Sequence, residues 1–211
     1  MDVHPPQGSI RTWKDFLVHL LTITIGLFIA LTLEAAVESL HHRHLVRDGR
    51  TNLDREISAN QRLYGENVER LRGNRDQLRS DIAQLRDLRD GKPVENSRLS
   101  WRWEWNSYSG TAWTTARDSG AVSYMSPEVI SSYSWIYLQQ DYINSTALKI
   151  FDEETKAGAA LEIAGDPKSL TRAQIDALLL KTAELDLSFE QLQITMTSLS
   201  EMYAQEIQHR P

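Results

Sequence analysis

Three tryptophans, Trp101, Trp103 and Trp105, alternate with Arg102, Glu104 and Asn106, and Tyr108 follows close behind. A flat aromatic face beside hydrogen-bonding groups suits stacking on a sugar ring or a peptide, so Trp101, Trp103, Trp105 and Tyr108 form a candidate binding face. The competing role is packing, since buried indoles mostly fill space and this segment could lie as a lid over the open end of a helical domain. Period-two spacing favours an extended or irregular backbone, because on a helix residues two apart point roughly 200° apart.

A second group, Glu34, Glu38, His41 and His42, has partners at helical i, i+4 spacing that could present carboxylate and imidazole to a metal. It lacks the His-Glu-x-x-His pattern, so the expectation is a basic juxtamembrane collar with His44, Arg43 and Arg47, and no metal. Asp152, Glu153 and Glu154 read as a solvated acidic turn rather than paired catalytic carboxylates. There is no Gly-rich phosphate loop and no Gly-x-Ser-x-Gly, and the Ser, His and Asp residues sit in no recognisable constellation. Zero cysteines exclude disulfides, thiolate metal sites and cysteine catalysis. The expectation is therefore a protein that is not an enzyme and has no cofactor. With 29 acidic against 23 basic residues and a net charge of -6, nothing points to a nucleic-acid partner.

The element that decides where these groups must sit is Trp13 to Glu38. Within it, Phe16 to Leu33 is an apolar run of 18 residues broken only by His19 and three threonines. At about 1.5 Å per residue it covers roughly 27 Å, close to a ~30 Å hydrocarbon core, which predicts one membrane-spanning helix. The run exceeds the usual apolar region of a signal peptide and meets Glu34 and Ala-Ala-Val instead of a cleavage site, which favours an uncleaved anchor. Arg11 and Lys14 lie nearest the apolar start, favouring an N-terminus inside and the remaining chain outside; the count of Arg43, Arg47 and Arg50 argues the reverse. Stepping around the helix, His19, Thr22, Gly26 and Ala30 share one stripe that Glu34 continues. Small residues at four-residue spacing let two backbones approach, so the stripe is a candidate helix-pairing seam. Its competitor is that Thr and Gly are common in spans and His19 reaches for the interface.

Taken together, Trp13, His19, the run Leu20 to Leu27, Ala30 to Glu34, the paired histidines, and Glu56-Ile57 with Asn60 resemble a group of uncharacterised bacterial single-pass membrane proteins. The similarity extends more weakly to Ala112-Trp113 and Ser119-Gly120-Ala121. It implies an inner-membrane anchor followed by a helical domain and transfers no functional site.

Beyond the anchor, about 175 residues suffice for one domain with a substantial core. From Thr51 to Asp90, the residues Ile57, Tyr64, Val68, Leu71, Leu78, Ile82 and Leu85 predict a helix that runs on from the membrane as a stalk. Asn60, Asn67 and Asn74 repeat every seven residues along it. They read either as a register-fixing ladder or as a solvated flank, since Asn is mostly an exposed residue. Gly91, Lys92 and Pro93 end the helix, and a short helix from Thr111 should stop at Gly120. Ser126 caps another helix with Pro127 in its first turn, and this one dissolves between Gly158 and Gly165. Thr171 with Gln174 forms a capping box for the last helix, whose heptad runs Ile175, Leu178, Thr182, Leu185, Phe189, Leu192, Met196, Leu199 and Tyr203.

The predicted fold is all-α: one transmembrane helix continuing into an antiparallel bundle of three long helices with a Trp-rich irregular insertion. The segments are a flexible tail (1–12), the anchor (13–38), stalk and first bundle helix (39–90), Trp-rich connector with a short helix (91–125) and the last two bundle helices (126–211). The function expected is a self-associating, membrane-anchored interaction or scaffold protein of the bacterial inner membrane, its domain on the periplasmic side. Its partners would be the lipid bilayer, further copies of itself and an unidentified membrane protein. The alternative is a sensory-type helical domain holding a small molecule between its helices, without an output module.

Overall fold

The computed structural model describes residues 12–94, 99 and 103–208, without the side chains of 206–208. Among the described residues the chain is all helical, with no strand. Helix α1 spans Trp13–Arg89, α2 Thr111–Asp118, α3 Pro127–Ala164 and α4 Arg172–Gln208. Short 3-10 turns at Ala121–Tyr124 and Pro167–Ser169 join them. The chain divides within α1 into two compact units, Met1–Asp48 and Gly49–Pro211. The tail expected over residues 1–12 falls almost wholly outside the described residues.

In the first unit α1 is uninterrupted and, by length and composition, able to cross a membrane, with none of its most apolar window buried by the rest of the chain. Thr22, Thr24 and Thr32 turn their hydroxyls onto the carbonyls of Val18, Leu20 and Phe28 at 2.8 to 2.9 Å. Each polar side chain is thereby satisfied inside its own helix, which a hydrocarbon surrounding requires.

In the second unit the local signals act as the sequence implies. Ser126 accepts the Val129 N–H and Pro127 follows it. Thr171 and Gln174 bond reciprocally, Thr171 N–H to Gln174 Oε1 at 2.8 Å and Gln174 N–H to Thr171 Oγ1 at 3.4 Å. Every residue of the α4 heptad from Ile175 to Tyr203 is buried. One of the local expectations fails. Gly158 does not loosen α3, which continues to Ala164, because Ala157 is buried and Ala160, Leu161 and Ala164 pack against Leu85, Leu170, Ile175 and Leu178. That burial outweighs the roughly 1 kcal/mol a mid-helix glycine costs.

Helices α3 and α4 run antiparallel in close contact: Gln139 donates to the Thr195 carbonyl (2.9 Å), and Ser188 donates to Glu153 (3.1 Å). The second half of α1 does not alternate with them as expected. Asp54 meets Tyr133 (2.6 Å), Glu56 meets Tyr137 (2.9 Å) and Asn60 meets Gln140 (2.8 Å), so numbering ascends together and α1 runs parallel to α3. Against α4 it is antiparallel, with Tyr64 edge-on to Tyr203 and Arg75 bonded to Asp186 (3.2 Å). The reversal is possible because the connector itself returns along α1 in extended form. Arg70 pairs with Glu104, Asn67 with Asn106 and Asn60 with Ser109, descending on one side and ascending on the other.

Candidate functional site

The site is built around residues 103–110, an extended strap that contacts both α1 and α3. A lone extended segment has one free N–H and one free C=O per residue, which cannot stay unpaired when covered. Three asparagines supply the partners. Asn67 donates to the Asn106 carbonyl (2.8 Å) and accepts the Asn106 N–H (3.2 Å). Asn60 does the same with Ser109, at 2.8 and 3.1 Å. Asn144, from α3, holds both backbone groups of Tyr108 at 2.9 Å. A carboxamide matches the donor and acceptor of a neighbouring strand, so each rung substitutes for one β-sheet pair.

The seven-residue repeat follows from geometry. Seven helical residues rise about 10.5 Å, and three extended residues about 10 Å. Asn60 and Asn67 are therefore spaced to meet Ser109 and Asn106, three residues apart. They are 1% and 0% exposed, which overturns the solvated-flank reading. The same register puts Asn74 opposite Trp103, but its side-chain nitrogen is buried without a hydrogen-bond partner. The Trp103 N–H is instead turned to Glu154 on α3, whose carboxyl is raised by burial and held back by that bond.

Within the strap, alternation sends Glu104 outward to Arg70 (2.8 Å) and brings Trp103 and Trp105 together, stacked at 5.6 Å with planes 6° apart. Trp103 also stacks on Phe189 of α4 at 5.2 Å, and Trp105 meets Tyr108 edge-on. The structure thus gathers Trp103, Trp105 and Tyr108 but turns Trp103 and Tyr108 inward, where they present no open face. Trp105 remains half-exposed, and Trp101 lies outside the described residues. Burial pushes the Tyr108 phenol up to about 12; the nearby Asn67 amide favours its ionised form without the alignment of a hydrogen bond.

Below the strap Glu56 gathers three donors. Its carboxylate accepts from Ser109 Oγ (2.6 Å), from the Ala112 N–H at the start of α2 (3.0 Å) and from the Tyr137 hydroxyl (2.9 Å). A carboxylate at a helix N-terminus meets both free N–H groups and the positive end of the dipole. Desolvation first, and then Glu56, raise the Tyr137 phenol far above its usual range, so it acts purely as a donor. Gln140 links the rung to α4, accepting from Asn60 and donating to Tyr203 (2.8 Å). Sequence reading missed Asn144 and Gln140 because a single polar residue inside an apolar stripe has no periodic signature.

The seam residues His19, Thr22, Gly26, Ala30 and Glu34 all lie exposed on α1 in the first unit, and a Cβ on Gly26 would meet nothing within 4 Å. Of Glu34, Glu38, His41 and His42, the Glu38 carboxylate and the His42 imidazole approach to 3.9 Å. Among the described residues no group of three His, Cys, Asp or Glu side chains converges on a metal position. A cleft of about 540 Å³ opens between α2 and α3, with Trp113, stacked on Tyr137 at 5.6 Å, beside Thr111, Ser134, Arg117 and Asp141. No protein-family model, no curated protein and no solved structure matches the chain.

Proposed function

We propose that this chain is a non-enzymatic, membrane-anchored interaction or scaffold protein that associates with further copies of itself in the bacterial inner membrane. The observation that carries the reading is the bare span: Leu20, Leu21, Phe28 and Leu31 are all about half exposed or more, a surface that only lipid or another helix covers favourably. The stripe of His19, Thr22, Gly26, Ala30 and Glu34 is the side on which backbones come closest. Arg11 and Lys14 beside the span favour a periplasmic helical domain, read as a three-helix bundle in which two helices are parallel and the third antiparallel. Asn60, Asn67, Asn144, Glu56, Tyr137 and Gln140 are committed to the strap and to one another, which suits a rigid holder better than a reaction centre. The resemblance to bacterial single-pass proteins supports the same placement, and a membrane protein of another kind is a further partner.

Crosslinking in native membranes tests the seam. Gly26→Leu should abolish the crosslinked oligomer and Leu27→Ala should leave it intact, because only the former adds bulk where backbones meet. Equal crosslinking in both variants would sink the proposal.

The α2–α3 cleft favours a second reading, a small-molecule-binding domain. Its volume of about 540 Å³ falls in the ordinary range for ligand sites, and an aromatic wall sits beside hydroxyls and two opposite charges. A solute that survives purification of the wild type but is absent from Trp113→Ala protein would establish it; purified protein free of any solute would leave the scaffold reading alone.

A further inference from the structure

We propose that the cleft between α2 and α3 takes a short free peptide of about three residues, with its carboxylate at Arg117, its ammonium at Asp141 and its middle residue over Trp113. The inference rests on the reading of this cleft as a ligand site and names the chemical class of the ligand. Its first support is the course of the two helices. Ala112, next to Trp113, donates its N–H to Glu56, and Ala121, just past α2, lies against Gly49, so α2 descends along α1. Helix α3 ascends beside α1, from Tyr133 at Asp54 to Gln140 at Asn60, so α2 and α3 run in opposite senses. Trp113 and Tyr137, stacked at 5.6 Å, mark the middle of the cleft. Arg117 follows Trp113 by one helical turn and Asp141 follows Tyr137 by one turn, which carries each charge about 6 Å toward opposite ends.

Among the described residues neither Arg117 nor Asp141 has an ion-pair partner, although other charges of the same unit are paired, as Arg70 is with Glu104 and Arg75 with Asp186. Opposite charges roughly 12 Å apart along the cleft exceed the reach of a free amino acid and suit three extended residues at about 3.3 to 3.6 Å each, the length of the arginine side chain covering the rest. A neutral sugar would stack on the indole but use neither charge. Thr114 and Ser134 bring hydroxyls that can bond the peptide's amide groups, and Leu138, 57% exposed, offers apolar contact to a side chain. The platform is fixed in advance. Glu56 holds the Ala112 N–H at 3.0 Å and the Tyr137 hydroxyl at 2.9 Å, so one carboxylate secures both aromatic walls and little ordering is left for a ligand to impose.

Calorimetric titration of the detergent-solubilised full-length chain with the peptide Ala-Leu-Ala tests the assignment. Acetylating the peptide's N-terminus should weaken binding to the wild type roughly three- to tenfold, and amidating its C-terminus should do the same. Asp141→Asn should be indifferent to acetylation and Arg117→Gln to amidation, because the charge each modification answers is already gone. Both residues are exposed, so neither variant removes buried packing. Wild-type protein that binds free and blocked peptides equally, or binds none of them, overturns the proposal. If maltotriose binds where the peptide does not, and Trp113→Ala abolishes that binding, the peptide assignment fails while the cleft remains a ligand site. Binding of neither probe, with no solute retained through purification, removes both.

Discussion

Asn60→Asp should lower the melting temperature of the detergent-solubilised protein by roughly 10 °C at neutral pH, from a loss of about 3 to 5 kcal/mol. The substitution changes almost no volume. It replaces the amide nitrogen that donates to the Ser109 carbonyl and to Gln140 Oε1 with an oxygen that can donate to neither, at a residue 1% exposed. Three oxygens would then face one another in a dry site, where each lost bond to a buried polar group costs about 1 to 3 kcal/mol. The sign of the pH response follows. Burial should raise the folded-state pKa of the introduced carboxyl above its unfolded value, so the variant's stability should be greatest below the ordinary Asp range and fall as pH rises through the raised value. Asn74→Asp supplies the contrast, because its side-chain nitrogen bonds to nothing and its loss removes no rung. Thermal melts followed by far-UV circular dichroism across pH check both, and a similar melting temperature for Asn60→Asp and Asn74→Asp would refute the rung assignment.

Trp103→Ala should cost a similar amount, about 3 to 5 kcal/mol from the cavity alone. Its ring is the middle member of a stack, 5.6 Å from Trp105 and 5.2 Å from Phe189, so truncation separates the strap from α4 and removes two aromatic pairs together. Each such pair adds about 0.5 to 1.5 kcal/mol beyond its buried area. Trp105→Ala should cost clearly less, since that indole is half-exposed and its ring nitrogen is already without a partner. Denaturant titration with near-UV circular dichroism separates the two. Equal losses would mean that Trp105, not Trp103, anchors the strap.

How far the sequence disclosed this arrangement depends on what kind of pattern each element left behind. The α4 heptad and the caps at Ser126 and Thr171 were legible because apolar periodicity and capping chemistry are local. The core stripe of α1 was read correctly at Ile57, Tyr64, Leu71, Leu78 and Leu85 and one residue off at two places. Choosing apolar residues selects Val68 and Ile82, whereas the buried positions are Asn67 and Asp81, so the run of buried or partly buried positions is Ile57, Asn60, Tyr64, Asn67, Leu71, Asn74, Leu78, Asp81, Leu85. Polar residues at every seventh position were visible, but their purpose lay about forty to fifty residues further along the chain, where a backbone needed partners. The parallel course of α1 and α3 was hidden for the same reason: alternate tryptophans indicate an extended strap, yet its direction is set by pairs such as Asn67 with Asn106. Glu154, read as part of a solvated turn, is buried because the strap's first N–H needs an acceptor on α3.

The rungs also divide the burden of inheritance unevenly between the two sides they join. Asn60, Asn67 and Asn144 address only the main chain of residues 106, 108 and 109, and any residue with an N–H offers the same two groups. On the strap, then, the exposed side chain at 107 is free to drift and the one at 106 answers only to an exposed bond with Glu66 at 3.2 Å, provided that proline, which lacks the donor, never enters positions 106, 108 or 109. On the helices no such latitude exists, since aspartate lacks the donor and glutamine reaches one carbon further. Over evolutionary time the two sides of this contact should therefore diverge at different speeds, with the readers held fixed while the strap's outward side chains change.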